Sequence, residues 1–128
     1  MIFGVHLLLM SSNPEADRAF FRDVLEMPAV DAGGGWLIFG LPPAEMAVHP
    51  AEAPLTTKHI GQDLAAGTVY LMCEKLAGTL EWLAAKGVEH TEMHQERWGV
   101  VTSIHLPSGG QLGLYEPHHP VAIKATAG

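Results

Sequence analysis

The side chains with chemical reach in this 128-residue chain are eight histidines, fourteen acids and a single cysteine. An imidazole is a competent ligand for a divalent ion, and a carboxylate serves either as a ligand or as a general base. His6 and Glu45 are the two catalytic candidates, because each falls in a stretch with strand character where it can face a cavity. His49 follows Glu45 at an even spacing, so the two share a strand face. Cys73 lies in an apolar run beside Glu74, which opposes thiolate formation and marks an inert buried thiol. No Gly-x-Ser-x-Gly elbow is present. Gly33, Gly34 and Gly35 read as a hairpin turn rather than a phosphate loop. His118 and His119 read as solvated residues of a tail.

These residues have to be positioned by short elements. Residues 5–10 are an apolar run that fits a buried strand. Asn13-Pro14 starts a helix, with Glu15 and Asp17 in its first turn and Phe20, Phe21, Val24 and Leu25 on its buried face. Met27-Pro28 closes it. Residues 36–39 and 45–49 read as strands, and residues 50–67 as an irregular joint. The order then begins again: a strand in 68–73, a helix carrying Leu76, Leu80, Leu83 and Ala84, and Gly87 as its stop. Residues 90–93, 100–105 and 111–115 read as strands.

Composition limits what such a chain does. Seven basic against fourteen acidic residues give a net charge of −7, which disfavours nucleic acid and anionic membrane surfaces. With 48% hydrophobic residues the chain is long enough to bury a core, and no run is long enough to span a bilayer. One cysteine fits a reducing, cytoplasmic setting.

Strand, helix and three strands occur twice, so the expected fold is α+β. Two βαβββ modules form a curved, eight-stranded, cup-like mixed sheet with helices on its outer face. The single domain divides into module one (1–50), the joint (51–67), module two (68–117) and a tail (118–128). Aligning the modules puts His6, Leu8, Met10, Glu45, Ala47, His49, Thr68, Tyr70, Met72, Gln111, Gly113 and Tyr115 on the concave face.

Three stretches resemble the vicinal oxygen chelate superfamily, the group of glyoxalases, bleomycin-resistance proteins and extradiol dioxygenases. The first is His6-Leu7-Leu8-Leu9-Met10 followed by Ala19-Phe20-Phe21-Arg22-Asp23-Val24-Leu25-Glu26-Met27, with Glu26 where the family usually has glycine. The second ends Leu83-Ala84-Ala85-Lys86-Gly87-Val88, and the third is Leu106-Pro107-Ser108-Gly109-Gly110 running into Leu112-Gly113-Leu114-Tyr115. The resemblance implies the paired-module cup, a homodimer, and a divalent metal held by four positions inside the cup. On this chain those positions are His6, Thr68, Ala47 and Gly113. Only His6 is a good ligand.

The resulting expectation is a metal-independent binding protein for an apolar or aromatic small molecule, with a resistance or sequestration role rather than an enzymatic one. No cofactor is expected. The ligand-binding set is His6, Leu8, Ala47, His49, Thr68, Tyr70, Met72, Gln111, Gly113 and Tyr115, with Trp36 and Trp98 adding stacking area. The alternative is a metal-dependent lyase, isomerase or extradiol-type dioxygenase using a displaced set of His6, Glu45 and His49.

Overall fold

The computed structural model describes residues 1–52 and 54–123, so Ala53 of the joint and the tail beyond residue 123 lie outside the described residues. Helix α1 runs Pro14–Asp23. The Asn13 side chain accepts from the Ala16 amide at 3.3 Å, and proline occupies the first turn, where its missing N–H costs nothing. Strands β1 (Ala29–Asp31) and β2 (Leu37–Phe39) form an antiparallel hairpin around the glycine triplet. A second hairpin pairs β3 (Thr56–His59) with β4 (Gln62–Ala65). The joint is therefore partly regular, contrary to expectation. Its turn, Ile60-Gly61, takes positive φ at both residues, a geometry that leaves little apolar signature in sequence.

Module two is complete. Strand β5 (Tyr70–Met72) precedes helix α2 (Leu76–Ala85), and β6 (His94–Glu96), β7 (Gly99–His105) and β8 (Gln111–Pro117) follow. Their four-stranded sheet has the order β5-β8-β7-β6, with β5 parallel to β8 and the other pairs antiparallel. Expected strand character at residues 90–93 is reduced to one bridge, His90 to Ile104, and the strand proper begins at His94.

A single eight-stranded cup is not seen among the described residues. The described residues contain two two-stranded sheets and one four-stranded sheet. Residues 5–10 and 45–49, expected as strands, belong to none of them. Their apolar pattern supplies a face to bury, but a strand also needs a hydrogen-bonded neighbour, and neither segment pairs with a strand among the described residues.

The core lies on one face of the four-stranded sheet. Cys73, Leu76, Leu83, Ile104, Leu112 and Leu114 are buried together. Phe20, Phe21, Val24 and Leu25 of the α1 region pack on that cluster beside Leu80 of α2. Both helices thus cover the same side, and the opposite face of the sheet is left open. Neither is long and apolar enough to cross a membrane.

Polar contacts fix α1 there. The buried Asp17 carboxylate accepts from the Ser11 hydroxyl at 2.6 Å, the Ser108 hydroxyl at 2.7 Å and the Ser108 amide at 3.0 Å. The helix is thereby tied to the Leu106–Gly110 turn, 91 residues away in sequence. At its other end the Lys86 ammonium donates to the Val24 carbonyl at 2.6 Å and pairs with Glu26 at 3.2 Å. Glu26 itself adopts φ 57°, the conformation for which glycine is the usual residue. Helix α2 has no side-chain cap at Lys75. Its Leu76 amide instead donates to the Glu116 carboxylate at 2.9 Å, across from β8.

Burial pushes the Asp17 carboxyl up, but the hydrogen bonds from Ser108 and Ser11 outweigh it and hold it below the ordinary carboxylate range. Its contribution to stability is therefore full above about pH 5 and is lost as acid protonates the folded state's carboxylate. Asp17→Asn should cost about 1–3 kcal/mol at pH 7, because the amide cannot accept all three bonds. That penalty should shrink toward pH 2. Urea denaturation of both proteins across this range checks it, and a pH-independent penalty would contradict the assignment.

Candidate functional site

Period-two alternation along β7 and β8 divides their side chains cleanly. Thr102, Ile104, Leu112 and Leu114 point into the helix-covered core, with Thr102 opposite Leu114 and Ile104 opposite Leu112. Val101, Ser103, Gly113 and Tyr115 therefore occupy the open face, where Val101 stands opposite Tyr115 and Ser103 opposite Gly113. On β5, Tyr70 is in register with Gly113 and Met72 with Tyr115, so both share that face. The expected phase of Tyr70, Met72, Gln111, Gly113 and Tyr115 is thus the phase found.

A cleft of about 470 Å³ opens on this side. Of the expected residues, Thr68, Tyr70, Gln111 and Gly113 line it, together with Leu9 and Met10 from the N-terminal segment. Val101, Ser103, Thr91 and His94 also line it and were not anticipated. The alternation in residues 100–105 carried the signal for Val101 and Ser103. Thr91 and His94 needed the register of β6, which short strands do not reveal. The cleft's polar wall is internally bonded: Thr91 and Ser103 hydroxyls lie 2.8 Å apart, and the Ser103 hydroxyl donates to the Gln111 side-chain oxygen at 2.8 Å.

Gly113 is the site's sharpest feature. A Cβ placed there would lie within the Tyr70 ring, 2.6 Å from its Cε1. Only the absence of a side chain lets the ring lie across the strand. Tyr70 in turn meets Tyr115 edge-on, with centroids 5.5 Å apart, and Trp98 meets Tyr115 in the same manner at 5.9 Å. Three aromatic rings therefore form one continuous array, and Tyr70 and Trp98 remain nearly half exposed.

Glu45 and Tyr115 come together at the end of this array. Burial first, then the Glu45 charge and a hydrogen bond to that carboxylate, raise the Tyr115 phenol above its ordinary value. His119 completes the group, its Nε2 standing 3.0 Å from the Tyr115 hydroxyl and 3.9 Å from the Glu45 carboxylate. His119 is thus a site neighbour and not a solvated tail residue. Its companion His118 pairs with Glu116 at 3.0 Å.

The other expected residues stand elsewhere. His6, Leu8, Ala47 and His49 lie in the segments that form no strand. His49 is turned to the Pro50 carbonyl at 2.7 Å and to Glu52 at 3.7 Å, so His6, Glu45 and His49 are not assembled as a ligand set. Trp36 stacks on the Arg18 guanidinium of α1, 4.5 Å from its ring centre, in the helix layer. Cys73 is buried. Burial raises its thiol against a lowering hydrogen bond from Thr79, and the added charge is that of Glu116 rather than Glu74.

The four metal positions implied by the resemblance do not fit an ion. Ala47 and Gly113 offer no donor, Thr68 is a poor one, and the Tyr70 ring covers the space at residue 113. Among the described residues, no group of three or more His, Cys, Asp or Glu side chains is placed to hold a metal.

Comparison with solved structures accords with this architecture. The chain is similar to a lactoylglutathione lyase from Agrobacterium tumefaciens (TM-score 0.55, 21% identity, covering 84% of this chain and 88% of that one). It is similar to TnmS3, an antibiotic binding protein from Streptomyces sp. CB03234 (TM-score 0.55, 16% identity, 91% and 98%). A member of the glyoxalase/bleomycin resistance protein/dioxygenase superfamily from Sphaerobacter thermophilus DSM 20745 also matches (TM-score 0.55, 19% identity, 90% and 98%). No family model and no curated protein matches the sequence. The fold is that of the vicinal oxygen chelate superfamily.

If the Tyr70 ring occupies the space over Gly113, Gly113→Ala should cost about 1–3 kcal/mol through overpacking. In a Tyr70→Ala background the same change should cost less than about 0.5 kcal/mol. A double-mutant cycle by chemical denaturation measures the difference, and additive penalties would contradict the contact.

Proposed function

We propose that the protein binds a planar aromatic or largely apolar small molecule without metal and without altering it, in a sequestration or resistance role. The observation that carries this reading is the Tyr70 ring laid across Gly113. The position from which a carboxylate would reach an ion instead has no side chain, and an aromatic surface fills the space. The cleft is of a size that takes drug-like molecules. Tyr70 lines the cleft and provides stacking area, which Tyr115 and Trp98 continue beyond its lining residues, while Ser103 and Gln111 provide a few fixed polar contacts. An aromatic contact of this kind contributes about 1 kcal/mol beyond its buried area. The similarity to an antibiotic binding protein supports the same reading.

Calorimetric titration with 2-naphthol, a planar aromatic probe, should show saturable binding. Tyr70→Ala should weaken it by about 3–10-fold, the equivalent of one stacked ring. Absence of saturable binding at millimolar probe, or undiminished binding by the variant, would sink the proposal.

The reading includes a homodimer. Ile2 is 90% exposed, Phe3 103% and Val5 88%, and among the described residues no strand lies beside the outer edge of β5. An apolar segment and an open sheet edge are complementary, and a second copy brings each to the other. The unpaired residues 5–10 and 45–49 would then gain the neighbours they lack within one chain. Light scattering after gel filtration should give twice the chain mass, and Phe3→Asp with Val5→Asp should return it to the monomer. A monomeric parent protein would contradict this part.

A further inference from the structure

We propose that the Glu45–Tyr115–His119 cluster, which adjoins the cleft across the Tyr70 ring and is not among its lining residues, recognises a protonated amine on a molecule bound there. The inference rests on the aromatic-pocket reading above and adds the polar chemistry of its ligand.

Protons and lone pairs do not balance within the cluster. The Nδ1 atom of His119 lies 2.8 Å from the Pro120 carbonyl, which can only accept, so Nδ1 carries the hydrogen. In the neutral imidazole Nε2 is then a lone-pair acceptor, and it faces the Tyr115 hydroxyl at 3.0 Å. The Glu45 carboxylate is a second acceptor beside this pair, its Oε2 3.9 Å from the same Nε2. Its Oε1 is already occupied by the Ala122 amide at 2.9 Å, which leaves Oε2 directed at the cluster. Two acceptors thus share one phenolic hydrogen, and one of them carries a full negative charge. A group with several N–H donors and a positive charge supplies what is missing, whereas a carboxylate or phosphate would meet repulsion. The adjoining ring faces act in the same sense. Tyr70 and Trp98 flank Tyr115 at interplanar angles of 87° and 79°, and aromatic faces attract a cation through their quadrupole. Glu45 is mostly buried, its side chain 17% exposed, so its charge is weakly screened. The net charge of −7 draws cations from solution toward the site.

The test compares two probes with one ring system, 2-naphthylmethylammonium and the isosteric neutral alcohol 2-naphthalenemethanol, by calorimetry on the full-length protein. The amine should bind at least 10-fold more tightly than the alcohol, and added salt should narrow the gap. Glu45→Gln keeps an oxygen acceptor for the Ala122 amide and removes the charge; it should bring the two affinities within about 3-fold. Circular dichroism and thermal melting establish that the variant is folded. Equal affinities in the parent protein, or a preference untouched by Glu45→Gln, would overturn the amine assignment while leaving the aromatic pocket standing. Failure of both probes to bind would overturn the pocket reading and this inference with it.

Discussion

The site depends on the strict alternation of β8. Leu112 and Leu114 are fully committed to the core, each almost inaccessible to solvent. Slipping this strand by one residue would expose both and bury Tyr115 against the helices, so the register is strongly fixed. Gly113 and Tyr115 are therefore held on the opposite face by the stability of the core itself. Once residue 113 is glycine, the parallel neighbour β5 can lay Tyr70 across it, and an aromatic surface covers the strand there. The chemistry of the open face follows from packing on the closed one.

The second constraint is the docking of α1 on the sheet of module two. Apolar contact from Phe20, Phe21, Val24 and Leu25 supplies area, but area is not directional. Asp17 supplies direction, because its three donors come from both sides of the contact, the approach to α1 and the Leu106–Gly110 turn. Lys86 performs the same function at the helix's far end and covers the Trp82 ring at 4.0 Å. A carboxylate and an ammonium thus hold the ends of a short helix that would be marginal alone.

Local signals made much of this legible in the sequence. The Asn13-Pro14 start, the spacing of Phe20, Phe21, Val24 and Leu25, and Gly87 at φ 79° located the helices to within a few residues. The alternation of β8 was legible because leucine alternates with other residues, but which face it turns to the core was a judgement until the burial of Leu112 and Leu114 showed it. Features made by tertiary contact were hidden. The cap of α2 comes from Glu116, forty residues away, so Lys75 gave no sign of it. His119 looked like a tail residue because its partners, Tyr115 and Glu45, are brought to it by the fold. Residues 5–10 and 45–49 have strand composition without strand partners, since pairing is a property of two segments and composition describes only one.

The fold houses both catalysts and binders, so it does not decide between them. The decision falls to the donor set, and at the positions where the resemblance implies ligands this chain has a glycine, an alanine and a threonine. Metal content decides it most directly: elemental analysis of untagged protein, purified without chelators and then equilibrated with zinc, nickel, manganese or iron(II) and desalted. The account predicts far less than one ion per chain in every case. One tightly retained ion per chain, released only by chelator, would contradict it.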